Sequence, residues 1–175
     1  MATALDVTIR EATVDDAAAI AEVHVASWRW AYDGLLPASV LDELSVDDRA
    51  EWWRSAFGGW DGTVIVAVDG QGNVVGFASV GATGDDDDPP VGTGQVFAIY
   101  VVPAVAGTGT GRALLERAET ILRETGSRRA TLWVLETNER ARRFYERHGW
   151  SWDGTRGEHR FDCGERPIVR YARDL

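Results

Sequence analysis

Three glycines at alternate positions, Gly107, Gly109 and Gly111, are followed at once by Arg112. They close an apolar strand-like run, Gln95 to Val102, and open a run with Leu114, Leu115, Ala118, Ile121 and Leu122 at helical spacing. A glycine turn at a helix start can aim several main-chain N–H groups at one concave spot. The helix adds its own unpaired amides and the positive end of its dipole, so the fitting occupant is a pyrophosphate. Arg112 supplies a fixed charge beside it. Further on, Asn138 has the side chain of a helix N-cap, and Tyr145 lies in the helix behind it. Other reactive groups are few. Cys163 is the only cysteine, and the histidines are His24, His148 and His159. All 18 basic residues are arginine. With no lysine there is neither a phosphate loop of the G-x-x-x-x-G-K-[ST] type nor a Schiff-base nucleophile.

The elements that must position these groups follow from periodicity and turn chemistry. A strand from Val7 to Arg10 precedes Thr13-Val14-Asp15-Asp16, which reads as a helix start, with Ile20, Val23 and Trp28 on one face to about Trp30. Pro37 and Asp47-Asp48 open two further short helices. Thr63–Val68 and Val74–Val80 form a hairpin across a glycine-containing turn. Asp85 to Asp88 with Pro89-Pro90 reads as a solvated loop. The Gln95–Val102 strand, its helix and the strand Ala130–Leu135 make a unit with two parallel strands side by side. A helix from Asn138 to His148, stopped by Gly149, leads to a last hairpin around Cys163-Gly164. The expected fold is α/β (α+β): a mixed, mostly antiparallel sheet of about six or seven strands with helices on both faces.

Composition narrows the function. The chain has 175 residues, which suits one domain, residues 1–175, with one sizeable core. The net charge of −10 argues against nucleic acid and against anionic membranes. No apolar run reaches the length of a membrane span, no secretory leader is visible, and a lone cysteine suits a reducing cytoplasm. No metal site is expected. Dinucleotide binding is a competitor for the glycine turn. Its fingerprint is G-x-G-x-x-G with an acid about twenty residues on. Here the spacing is G-x-G-x-G, and Glu136 lies 25 residues past Gly111.

Two segments carry a family resemblance. Ala106-Gly107-Thr108-Gly109-Thr110-Gly111 resembles motif A of the GNAT N-acetyltransferase superfamily, with Ala106 where Gln or Arg is usual. Leu132 to Trp150, with Asn138 and Phe144-Tyr145 ahead of Gly149-Trp150, resembles its motif B. The opening strand and helix and the closing hairpin are also similar to that family. The resemblance implies acetyl-CoA as co-substrate and a central parallel pair that splays to admit the pantetheine arm. It implies that the main chain of Tyr100, Val101 and Val102 pairs with that arm. The amides of Gly107, Thr108, Gly109, Thr110, Gly111 and Arg112 would hold the pyrophosphate, and Asn138 would reach the pantetheine amide. Tyr145 would bind at the thiol end and protonate the departing thiolate. Ala141 and Phe144 would pack.

The proton acceptor stays open at this level. Gln95 stands where many relatives carry Glu, and an amide cannot take a proton. Glu22, His24 and Asp33 are weak substitutes, a water held by carbonyls is another, and neither His159 nor Cys163 has a role. The first 60 residues hold Trp28, Trp30, Trp52, Trp53 and Trp60, either as core or as an aromatic wall of the acceptor cleft. The expected acceptor is a small, cationic primary amine or an exposed α-amino group, and a homodimer stays open. A non-catalytic acyl-CoA-binding module is the reading from another class.

Overall fold

The structure is a computed structural model that describes residues 6–87 and 91–175. Asp88, Pro89 and Pro90 of the expected loop lie outside the described residues, as do the first five positions. Strand β1 (Val7–Glu11) leads through the 3-10 turn Val14–Asp16 to helix α1 (Ala17–Ala31). The turn is set by Asp16, whose carboxylate accepts from the Thr13 amide at 2.9 Å and from Arg10 at 2.8 Å. The short α2 (Ala38–Asp42) follows, then α3 (Val46–Gly59). Two short helices were expected here, but α3 has 14 residues; it starts at Ser45, which caps it by accepting from the Asp48 amide at 3.2 Å.

Strands β2 (Thr63–Asp69), β3 (Val74–Ala82) and β4 (Thr93–Val101) come next, then α4 (Thr110–Glu124) and β5 (Arg129–Leu135). Helix α5 (Glu139–Arg147) and the hairpin β6 (Ser151–Phe161) and β7 (Gly164–Asp174) complete the chain. The seven strands form one sheet in the order β1-β2-β3-β4-β5-β7-β6. Every neighbouring pair is antiparallel except β4 and β5. The mixed α/β fold expected from the sequence is therefore present, with helices on both faces. Ile20 and Val23 of α1 and Trp53 of α3 pack on Val66 and Phe77. On the other face Leu114, Leu115 and Leu122 of α4 pack on Ile65, Val80 and Leu132.

The central parallel pair does splay. It pairs only over Thr93, Gly94 and Gln95 with Arg129, Ala130 and Thr131. Just beyond, the register of β3 against β4 steps between Ser79↔Ala98 and Val80↔Val96, which leaves Phe97 as an extra residue. Such a bulge bends its strand and strengthens the local twist. From there β4 follows β3 while β5 follows β7, and a cleft opens between them.

The loop after β3 departs from expectation. Asp86 and Asp87 are exposed, as a solvated loop requires, but Asp85 is partly buried and Asp85 and Asp87 are both tied to the sheet. Arg170 of β7, 4% exposed, donates to Asp87 at 2.7 and 2.9 Å, to Asp85 at 3.2 Å and to Asp153 at 2.7 Å. Burial works against its charge, and the carboxylates outweigh that and hold its pKa above the usual guanidinium value. Asp85 also accepts from the Trp133 indole at 3.0 Å. Asp85 and Asp87 thus fasten the loop to the paired residues Trp133 of β5 and Arg170 of β7.

Candidate active site

The cleft between β4 and β5 widens into a cavity of about 940 Å³. One end is walled by the glycine turn. Gly107 and Gly109 have φ of 81° and 97°, a left-handed conformation that costs other residues about 1–2 kcal/mol, and Gly109 is the N-cap of α4. A Cβ built on either would meet nothing within 4 Å, so the space over the turn is open. Gly111 lies inside α4 without positive φ, and a Cβ there would touch the Phe144 ring at 3.6 Å. Gly107, Gly109, Gly111 and Arg112 all line the cavity. Thr108 and Thr110 do not, because their hydroxyls bond each other at 3.0 Å and Thr108 bonds the Val105 carbonyl at 2.7 Å. They can offer only main-chain amides. Arg112 is paired with Glu116 at 2.8 Å, so an anion here would compete with that carboxylate.

Along β4 the direction of the main-chain groups divides the expected residues. Val102 does not line the cavity. Its N–H bonds the Val75 carbonyl at 2.9 Å, and its carbonyl accepts from Val105 at 3.1 Å. Antiparallel strands alternate the direction of their main-chain groups. With Val102 turned to β3, Tyr100, paired with Phe77, is turned to β3 as well. Ile99 and Val101 are left facing the open side, where β5 no longer pairs. The edge available to an extended ligand is thus Ile99 and Val101, not Tyr100 and Val102. Strand parity alone could have found Ile99 once the partner of Val102 was known.

The Tyr100 side chain contributes instead. Its hydroxyl lies 3.2 Å from that of Tyr32, which ends α1, and its ring stacks on His24 at 5.5 Å. The Trp28 indole N–H is buried. It lies close enough to Tyr100 to influence its titration, yet not at hydrogen-bond geometry. Burial raises the pKa of Tyr32 and Tyr100, so both remain phenols. Tyr145, on the inward face of α5, is 8% exposed and lines the cavity next to Phe144. Burial first, and Tyr100 second, push its pKa well above the ordinary phenol value. Asn138 caps α5, its Oδ1 accepting from the Ala141 amide at 3.1 Å. This leaves its Nδ2 as the group that can reach a ligand.

The proton-accepting candidates separate clearly. Gln95 lines the cavity, but its Oε1 already accepts from the Thr83 hydroxyl at 3.2 Å and lies 3.5 Å from the Gly84 amide. What it can offer the cleft is an N–H donor. His24 lies behind the wall, where its Nδ1 accepts from the Trp53 indole at 3.3 Å and its Nε2 is buried without a partner. Burial, with Arg49 adding to it, lowers its pKa to about 3. Glu22 and Asp33 are exposed and do not line the cavity. His148 ends α5, with Nδ1 2.7 Å from the Phe144 carbonyl, and His159 sits exposed against Phe161.

The early tryptophans divide between the two readings. Trp53 is core, Trp28 lines the cleft against Tyr32 and Phe161, and Trp30 lies under Arg140 at the rim with its ring 4.0 Å from the guanidinium. Trp52 and Trp60 are exposed. Among the described residues no group of three or more His, Cys, Asp or Glu is placed to hold a metal, and no helix is long and apolar enough to cross a membrane.

A strand-edge slot joined to an amide-rich helix start has the shape for a long ligand with a diphosphate at one end. Residues 20–150 match the model of the Acetyltransferase (GNAT) family, and the chain belongs to that family. A Bacillus subtilis (strain 168) protein named "Uncharacterized N-acetyltransferase YuaI" is 36% identical over 133 residues, 75% of this chain and 73% of that one. An Archaeoglobus fulgidus protein named "Uncharacterized N-acetyltransferase" is 31% identical over 137 residues, 78% of this chain and 88% of that one. The fold is similar to that of the PaiA N-acetyltransferase from Thermoplasma acidophilum in complex with coenzyme A. There the TM-score is 0.74 at 18% identity, covering 98% of this chain and 100% of that one. YncA from Salmonella typhimurium, solved with acetyl-CoA, gives a TM-score of 0.69 at 24% identity over 97% of this chain and 94% of that one.

Proposed function

We propose that residues 1–175 form one cytoplasmic N-acetyltransferase domain that acylates a primary amine by direct attack in a ternary complex. The observation that carries this is the cleft itself, which runs from the α4 amides, past the free edge of β4, to the Tyr145 side chain. Acetyl-CoA would supply the thioester that is cleaved. Its diphosphate fits the open space over Gly107 and Gly109, and its arm fits the edge of Ile99 and Val101, with Asn138 Nδ2 within the same slot. The residues of the chain then have definable tasks. A main-chain N–H of the β4 edge stabilises charge developing on the carbonyl oxygen. The amine nitrogen bonds to the carbonyl carbon, the C–S bond breaks, and the N–H proton ends on sulfur. Tyr145, a phenol before the reaction, donates its hydroxyl hydrogen to the departing thiolate and is restored by the proton released from nitrogen.

The test is thiol release from acetyl-CoA by the purified chain, measured with and without a panel of amines. Release that depends on the amine and yields the matching amide supports the proposal. Binding of acetyl-CoA with no turnover of any amine would make the chain a binding module.

A further inference from the structure

Resting on the acyltransferase reading, the chemistry of the cleft wall narrows the acceptor. We infer that the acceptor is a weakly basic, uncharged aromatic amine of the arylamine or arylhydrazine class, rather than a polyamine or a lysine side chain. The half of the cavity away from the glycine turn is walled by flat rings: Trp28 of α1 and Tyr32 at its C-terminal cap, Phe97 of β4, Trp133 of β5 and Phe161 of β6. Aromatic faces and edges at these spacings accept another ring by stacking or edge-on contact. The polar atoms among them are donors or neutral phenols. Gln95 has its oxygen occupied by Thr83 and Gly84, and Tyr32 and Tyr100 hold each other's hydroxyls.

Among the described residues, none that line the cavity is an aspartate or glutamate. The charges that do border it belong elsewhere. Arg112, Arg147 and His148 stand at the α4 end and also line a second hollow with Glu119 and Arg173. Arg140 lies over Trp30 at the rim, and the exposed His159 lies against Phe161. The carboxylate next to the wall, Asp85 behind the Trp133 indole, is already held by Arg170, whose guanidinium lies 5.6 Å from the Trp133 ring, so a cation entering here would lose water against a counter-charge that is already neutralised. Among the described residues that line the cavity it would also meet no carboxylate to remove its proton. An alkylamine of lysine-like basicity is neutral in only about one molecule in 2,500 at pH 7. An arylamine already carries a free lone pair at that pH and needs no base before attack. The fixed aromatic wall and the occupied Gln95 oxygen therefore select for the same property.

The experiment measures kcat/KM of the full chain with acetyl-CoA and aniline, benzylamine or spermidine between pH 6 and pH 9. At pH 7 aniline should exceed benzylamine by at least tenfold and spermidine by about a hundredfold. The aniline profile should be flat, while that of benzylamine climbs about tenfold per pH unit, following its neutral fraction. Gln95→Glu keeps the acceptor atom for Thr83 and places a carboxylate in the cleft. It should raise benzylamine turnover at pH 7 at least tenfold without raising that of aniline. Spermidine or benzylamine as the preferred wild-type substrate, a flat benzylamine profile, or no gain from Gln95→Glu would each overturn the inference. These outcomes leave the acyltransferase reading standing, whereas acetyl-CoA binding with no amine turned over removes both.

Discussion

Tyr145 and His24 show how burial alone sets the behaviour of a titrating group. Tyr145 is held as a phenol, so its hydrogen remains available throughout the alkaline range in which amines become nucleophilic. Tyr145→Phe should retain acetyl-CoA binding within a few-fold and lower kcat roughly 100-fold, read by steady-state kinetics. The wild-type kcat should show no alkaline fall attributable to this group below about pH 10. His24 is a stability element. Its pKa falls from 6.5 unfolded to about 3 folded, so the folded state binds fewer protons between those values. Its contribution is complete above about pH 6.5 and is lost as pH falls, by up to about 1.4 kcal/mol per unit. Urea titrations at pH 6.5 and 4.5 should show wild type losing about 2–3 kcal/mol more than His24→Gln, which cannot titrate. Equal losses would mean that His24 is hydrated in the folded state. The Gly109 turn and the Asn138 cap were legible in the sequence because each depends on neighbours within a turn or a helix. The Tyr32–Tyr100 contact joins residues 68 positions apart, and the occupied Gln95 oxygen depends on Thr83 across a hairpin. Such pairings exist only once the strands are in register.

At the level of elements, the start of α4 divides the three glycines into two kinds. Gly109 must hold a positive φ, whereas Gly111 already has helical geometry and tolerable space for a methyl group. Gly109→Ala should cost about 1–2 kcal/mol in a denaturant titration, and Gly111→Ala close to nothing. Gly109→Asp should in addition abolish acetyl-CoA binding, because a carboxylate would stand where the diphosphate is expected. Equal stability of the two alanine variants would show that the turn relaxes freely. The run of strands and helices was readable from periodicity, caps and turns. The bulge at Phe97 was not, since nothing in the residue types marks where two strands change register. Nor was the fastening of Asp85 and Asp87 to Arg170, more than 80 positions away. An acidic run beside two prolines reads as solvated, and nothing in it marks that a buried guanidinium comes to meet it.

For the whole molecule, the relevant quantity is how a ligand that binds only the folded state shifts its unfolding. Acetyl-CoA at a hundred times its dissociation constant should add about 2.7 kcal/mol, which for a chain of this size is a rise in Tm of roughly 5–11 °C. NAD or NADP at the same concentration should add nothing, and a shift with either nucleotide but none with acetyl-CoA would displace the acyltransferase reading. The net charge of −10 acts at long range and is screened at physiological salt, so a neutral acceptor should be turned over at the same rate in low and high salt. The sheet adds one more consequence. Its two halves, four strands on one side and three on the other, are sewn together by three residue pairs at one end. Such a seam behaves as a zipper left mostly open, whose missing teeth are the amides of Ile99 and Val101. A ligand arm lying there closes it, and those amide hydrogens should then exchange with deuterated solvent far more slowly than in the free protein.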